Sequence, residues 1–192
     1  MWLTPAFEVG VWNAWILLLF LPLHPLIMML IDKLVGTGDM FKKMETPALS
    51  KTESIINIFG SYVLFFGLFI YSIFLPLQLE TAWFYVGLAL CVLGMVTWTI
   101  AIVNIANIPL GEPWNKGLYR YSRHPMYLGL FLTLMGAGIA SVSWVFLLLS
   151  ILYIILCAIL VTAEERFCLD KFGTTYREYM NRTPRWIGIP KS

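Results

Sequence analysis

The sequence predicts an all-α integral membrane protein with about five transmembrane helices, the last two forming a helical hairpin, followed by a short cytoplasmic helical tail. Three observations predict it. The 192 residues are 59% hydrophobic and only 12% charged, against about 25% charged in soluble domains. Mean hydropathy is +0.78. The apolar residues gather in runs of about 20, the length that crosses a bilayer as a helix.

The first run, Val11 to Ile31, ends at Asp32-Lys33 and carries Pro22, His24 and Pro25, which predict a kink. The second, Ser54 to Leu77, follows Glu53 and has Pro76 near its end. The third, Ala82 to Ile105, opens on Trp83 and Tyr85, residues suited to the membrane interface, and closes at Asn104 and Asn107. The stretch Met126 to Ala163 is too long for one helix. Gly136-Ala137-Gly138 and Ser141-Val142-Ser143 read as a tight turn that divides it into arms at Pro125 to Ala140 and Trp144 to Ala163. The first arm, at 1.5 Å per residue, reaches only about 24 Å, short of the roughly 30 Å hydrocarbon core. Beyond Glu165, Phe172-Gly173 reads as a helix stop. Thr174 then caps a short amphipathic helix through Tyr176, Tyr179 and Met180, which Pro184 ends, leaving Trp186, Ile187 and Ile189 to fold back on the membrane or over the hairpin.

All 13 basic residues fall between spans one and two (Lys33, Lys42, Lys43, Lys51), between spans three and four (Lys116, Arg120, Arg123), or in the tail (Arg166, Lys171, Arg177, Arg182, Arg185, Lys191). One side of a five-span bundle holds them all. By the positive-inside rule the C-terminus is cytoplasmic and the N-terminus outside. The first ten residues lack Lys and Arg and include Glu8, unlike a cleavable signal peptide, so the first run is expected to stay as an anchor. Gly36-Thr37-Gly38 follows no strand and is no nucleotide fingerprint. A net charge of +2 without a basic, aromatic-interleaved stripe gives no reason to expect nucleic acid. Cys91, Cys157 and Cys168 lack metal-ligand spacing, and no metal is expected.

Two polar clusters bracket the hairpin. In Arg123-His124-Pro125-Met126-Tyr127-Leu128-Gly129, Pro125 at the first helical position fixes the helix start, and the free N–H groups of Met126 to Gly129 favour an anion. His124 and Tyr127, three apart, share a face. The pattern fits either a ligand site or an interfacial cap. Glu164-Glu165 closes the second arm, where acidic groups oppose the helix dipole. Either the helix runs on toward Phe172, or the pair has polar partners such as Arg120, Arg123 or ligand hydroxyls. Neighbouring side chains point about 100° apart, so a division of labour is expected, one carboxylate toward ligand and one toward an arginine.

Taken in order, Gly117-x-Tyr119-x-x-x-Arg123-His124-Pro125-x-Tyr127-x-Gly129, Glu164-Glu165, Leu169-x-x-Phe172-Gly173-x-x-Tyr176-x-x-Tyr179 and Pro184-Arg185 resemble the isoprenylcysteine carboxyl methyltransferase family of the phospholipid methyltransferase superfamily. The resemblance covers about residues 109–190, and the compact size looks like a prokaryotic member in a cell membrane. It divides the chain into three N-terminal helices with a cytoplasmic loop at 32–53 (residues 1–108) and a cofactor-binding catalytic region (109–192). It implies S-adenosylmethionine as cofactor, S-adenosylhomocysteine as product, and a lipid or lipid-modified substrate entering from the bilayer among membrane lipids. It further implies that Trp114, Tyr119, His124, Pro125, Met126, Tyr127, Gly129, Glu164 and Glu165 bind the cofactor. Arg123, Glu164 and Glu165 would act in catalysis, and Gly111 to Trp114 would close over the site. Where animal relatives carry a substrate-orienting Arg four residues before the first Glu, this chain has Leu160. An ionised isoprenylcysteine carboxylate needs no base, which favours carboxyl O-methylation. A lipid amine needs Glu164 or Glu165 to take its proton. The competing classes are an NADPH-dependent sterol-type reductase and a non-catalytic lipid-binding scaffold.

Overall fold

The computed structural model describes residues 8–35, 39–45 and 47–190. The seven N-terminal residues, Gly36-Thr37-Gly38 and Lys191 lie outside the described residues. All named elements are helical: α1 (Trp15–Leu18), α2 (Phe20–Val35), α3 (Met40–Lys43), α4 (Lys51–Asn57), a π-helical stretch (Ile58–Leu64), α5 (Phe65–Ser72), α6 (Ala82–Ala106), a 3-10 turn (Gly117–Arg120), α7 (Pro125–Ala140) and α8 (Trp144–Arg182). Among the described residues, four helical stretches are long and apolar enough to span a membrane: Trp15–Val35, Lys51–Ser72, Ala82–Ala106 and Trp144–Arg182. Pro125–Ala140 is the shorter apolar fifth. The chain is an all-α, multi-pass membrane protein.

The first span starts and ends four residues later than its apolar run. Residues 12–14 instead pair with 75–77, through Ala14 N–H to the Leu75 carbonyl (2.8 Å) and Leu77 N–H to the Trp12 carbonyl (2.9 Å). The second span accordingly stops at Ser72 rather than Leu77. It begins at Lys51 because Ser50 and Glu53 form a reciprocal capping box. The expected kink at the prolines resolves into a short break at Leu19, and α2 runs through both. Pro22 sits in its first turn, where no N–H partner is needed. Pro25 cannot donate to the Leu21 carbonyl, and the Nδ1 of His24 makes that contact instead.

α6 and α7 form the tightest pair. A Cβ on Gly87 would lie 2.5 Å from the Gly136 carbonyl oxygen, and one on Gly94 2.5 Å from that of Gly129. Gly87–Gly136 and Gly94–Gly129 thus mark one antiparallel register in which backbone touches backbone, as small residues permit in membranes. This corrects the turn expected at Gly136-Ala137-Gly138. Those residues are helical, and their small size serves the approach to α6. The turn is Ser141–Ser143 alone. Ser143 N–H bonds the Gly138 carbonyl and Val142 N–H that of Ile139, a Schellman closure with Val142 at φ 51°. Ser143 then caps α8 through Phe146 N–H (3.2 Å).

α8 covers 39 residues in two helical segments joined by a kink at Gly173 (φ 55°, ψ −125°), so the expected stop is there and a short second helix follows it to Arg182. The apolar part of the first segment, Trp144 to Ala163, is about 30 Å long, matching the hydrocarbon core. That segment runs on past Ala163 to the kink. Glu164 and Glu165 are therefore mid-helix.

Candidate active site

The register of α6 on α7 sets the floor of the site. Trp98 of α6 packs where a Cβ on Gly129 would meet it, with Phe20 and His24 of α2 edge-on to its indole (5.1 and 5.5 Å). Nearer its C-terminus, α6 presents Asn104, whose Oδ1 accepts from Leu118 N–H (2.8 Å). Gly117, at φ 62°, places its backbone where a side chain would strike Asn104. This docks the 3-10 turn and buries Tyr119, whose ring meets Trp114 edge-on at 5.9 Å. Burial first, then the neighbouring Tyr179 and Glu164 charges, hold the Tyr119 phenol well above its ordinary titration range. It is a neutral wall.

The chain then enters α7. Ser122 Oγ accepts from His124 N–H (3.1 Å), and Arg123 N–H donates to the Pro184 carbonyl (3.1 Å). Pro125 occupies the first position of α7, and no side chain caps that end. Its first turn keeps N–H groups without intrahelical partners. The tail beyond α8 runs back along this segment: Gly188 N–H donates to the Tyr121 carbonyl (3.0 Å), and the Trp186 ring lies 6.2 Å from that of His124.

The two carboxylates have separate surroundings. Glu165, only 3% exposed, accepts from Arg185 through a short Nη2 contact and through Nε at 3.2 Å, and from His124 Nε2 at 3.2 Å. Arg123 Nε lies 3.1 Å from Glu165 Oε1. The approach is off-axis, so this buried N–H has no hydrogen-bond acceptor. Burial works against its charge, but hydrogen bonds from His124 and Arg185 and the nearby Arg123 charge keep Glu165 ionised. Glu164 accepts from the Tyr127 hydroxyl at 2.5 Å, and its Oε2 lies 3.6 Å from His124 Nδ1.

A cavity of about 400 Å³ opens beside this network, within the size range of small-ligand sites. Trp114, Tyr119, Arg123, His124, Met126, Tyr127 and Glu164 line it, as do Gly111 and Glu112 of the segment expected to close over it. Three expected residues do not. Pro125 is buried as the helix start, Gly129 is spent on contact with α6, and Glu165 stands behind His124 and Arg123. Of the two arginines expected beside the Glu pair, Arg123 is there; Arg120 is exposed on the 3-10 turn, and Arg185 takes the second place.

Sequence reasoning missed several groups as site residues. Trp98 sits in an apolar span with nothing to distinguish it. Phe167, Cys168, Phe172, Tyr176 and Tyr179 line the wall supplied by α8, and the helical period beyond Glu165 would have found them. Arg185 closes the motif string and was left without a role. Lys43 and Glu45 join the rim because Glu45 pairs with Lys171 (2.8 Å) and Lys43 bonds the Ala106 carbonyl (2.9 Å) at the end of α6.

Residues 82–175, which carry the α6–α7 pair and both carboxylates, match the family model described as phospholipid methyltransferase. Over these residues, just under half of its length, the chain is similar to the phospholipid methyltransferase family. It is also similar to the protein-S-isoprenylcysteine O-methyltransferase of Schizosaccharomyces pombe (strain 972 / ATCC 24843), with 33% identity over 75 residues, 38% of this chain and 31% of that protein. The match spans under a third of that relative's length. The family region ends before Arg185 and Trp186, so the returning tail adds to the site from outside it.

Proposed function

We propose that this chain is an S-adenosylmethionine-dependent methyltransferase acting on a lipid-borne acceptor at the membrane–water boundary, first of all an isoprenylcysteine-like carboxylate. The observation that carries this reading is one cavity lined by Arg123, Glu164 and several aromatic rings beside the uncapped start of α7. When bound, the cofactor supplies a methyl group already activated on a sulfonium. Its carboxylate suits Arg123 and the uncapped start of α7. Glu164 suits its amino group or ribose hydroxyls, and Trp114, Tyr119 and Tyr179 offer flat faces for adenine. With an activated methyl, the protein's task is in-line positioning and exclusion of water. Trp98, Leu130, Phe167 and Phe172 serve the second.

The acceptor class rests on similarity to the yeast relative. Leu160, buried one turn before Glu164, supplies no charge to orient a carboxylate. A phospholipid amine is the second reading, favoured by the family description and by an imidazole beside the cavity. The distribution of Lys and Arg supports a cytoplasmic cavity. Calorimetric titration of the detergent-purified protein with S-adenosylhomocysteine and with NADPH tests the cofactor. Binding of the first alone is expected; binding of NADPH alone would overturn the reading in favour of a reductase. An alkali-labile product marks a methyl ester, and an alkali-stable one an N-methyl product.

A further inference from the structure

The first arm of the hairpin is too short for the bilayer, and the fold answers this at the start of α7. That helix has 16 residues, about 24 Å, whereas the apolar part of α8, Trp144 to Ala163, covers about 30 Å. The tight turn at Ser141–Ser143 joins the arms at one end, so α7 starts about 6 Å short of where α8 leaves the hydrocarbon. The Tyr127–Glu164 and His124–Glu165 contacts mark that level. Residues 121–123 therefore run, outside any helix, along the hydrocarbon boundary, where backbone groups need partners. The tail supplies them: Arg123 N–H donates to the Pro184 carbonyl and Gly188 N–H to the Tyr121 carbonyl (3.1 and 3.0 Å).

Ile187 and Ile189, on either side of Gly188, are 78% and 89% exposed, and neither lines the cavity. Tyr121 stands half exposed on the paired segment. Held in water, these side chains forgo the gain of leaving it, and at the level of the α7 start acyl chains are at hand. Arg120 and Arg182, exposed next to the paired segments, suit phosphate headgroups, and Tyr121 suits the interface. We propose that residues 184–189 form a strap seated in the lipid surface, with Ile187 and Ile189 among the acyl chains beside α7, and that this seating keeps Arg185 and Trp186 on the site. The occupant of the exposed patch is the bilayer that the spans already face. Arg185 holds Glu165, Glu165 holds His124, and Trp186 lies against the His124 ring. A strap lifted from the lipid draws both residues away, so ligand affinity depends on the surface in which the protein sits. The inference goes beyond the methyltransferase reading, and the seating itself does not rest on it.

Depth is read with a bimane fluorophore on Ile189→Cys, in a Cys168→Ser background, in nanodiscs of phosphatidylcholine and phosphatidylglycerol. A doxyl group near the top of the acyl chain should quench it more strongly than iodide does, and the same label on Glu178→Cys should show the reverse. Equal access of iodide to both labels rejects the seating. Protection from both quenchers would put protein rather than lipid over the patch, and overturns it as well. Hydrogen exchange and calorimetry in the same nanodiscs read the link to the site. Ile187→Ser with Ile189→Ser should speed exchange of the 184–189 amides about tenfold, the scale of burying one isoleucine, and weaken S-adenosylhomocysteine binding. Ile187→Leu with Ile189→Leu should preserve both. Unchanged exchange in the serine variant overturns the strap, and faster exchange at unchanged affinity overturns its hold on the site. Absence of S-adenosylhomocysteine binding by the unaltered protein would instead remove the methyltransferase reading, with the strap judged by depth and exchange.

Discussion

Arg185, from the tail beyond α8, grips Glu165 of α8 with two of its nitrogens, and this joins the returning tail to the carboxylate that holds His124. Without Arg185, Glu165 keeps His124 and the off-axis Arg123, a buried charge with poor compensation. Arg185→Met should remove about 1.5–3 kcal/mol, the worth of hydrogen bonds to a charged group. S-adenosylhomocysteine affinity should fall about tenfold or more by calorimetry while helical content by circular dichroism stays unchanged. Arg185→Lys should recover only part, since an ammonium cannot reproduce the two-nitrogen grip.

The α6–α7 register gives a prediction with its own control. Gly136→Ala puts a Cβ 2.5 Å from the Gly87 carbonyl oxygen, and both backbones must move apart. Overpacking of this kind costs about 1–3 kcal/mol, and the shift carries Trp98 and Tyr127 with it. Both the melting temperature and cofactor affinity should drop. Gly67→Ala, where an added Cβ meets nothing within 4 Å, should be neutral or stabilise α5 by up to about 1 kcal/mol. Equal losses from the two substitutions would show that the register is not the cause.

Much of this was legible in sequence because hydropathy and length decide membrane helices, and the helical period places Glu164 and Glu165 on different faces. The turn at Gly136–Gly138 was misread because glycine carries two meanings, backbone freedom in turns and thinness in close packing. Sequence alone does not say which applies until a partner helix is known. The start at Lys51 was missed because the capping box lies ahead of the apolar run. Trp98 and Arg185 reach the site through tertiary contacts with Gly129 and Glu165.

Cys168 offers a probe of the cavity that needs no turnover. It is partly exposed and lines the cavity wall, whereas Cys91 and Cys157 are buried among apolar side chains. A maleimide should label one thiol well ahead of the other two, and peptide mass spectrometry should find it at Cys168. Saturating S-adenosylhomocysteine should slow that labelling at least severalfold, and Cys168→Ser should abolish the fast phase. Labelling of Cys168 at an unchanged rate under saturating ligand would place the ligand elsewhere.

His24 answers a problem that Pro25 creates. An α-helix gives the Leu21 carbonyl a donor from residue 25, but proline has none, and in a bilayer no water replaces it. The imidazole of His24 meets that carbonyl through Nδ1, which must carry its proton there because a carbonyl only accepts. His24→Leu should therefore destabilise the protein by about 1 kcal/mol, the scale of side-chain hydrogen bonds in membranes. Adding Pro25→Ala restores the missing N–H, so the double variant should regain that loss. In a thermodynamic cycle of detergent unfolding, the two substitutions should couple by more than 0.5 kcal/mol. Simple additivity would mean that the ring's packing against Trp98, rather than its bond to Leu21, is what α2 needs from position 24.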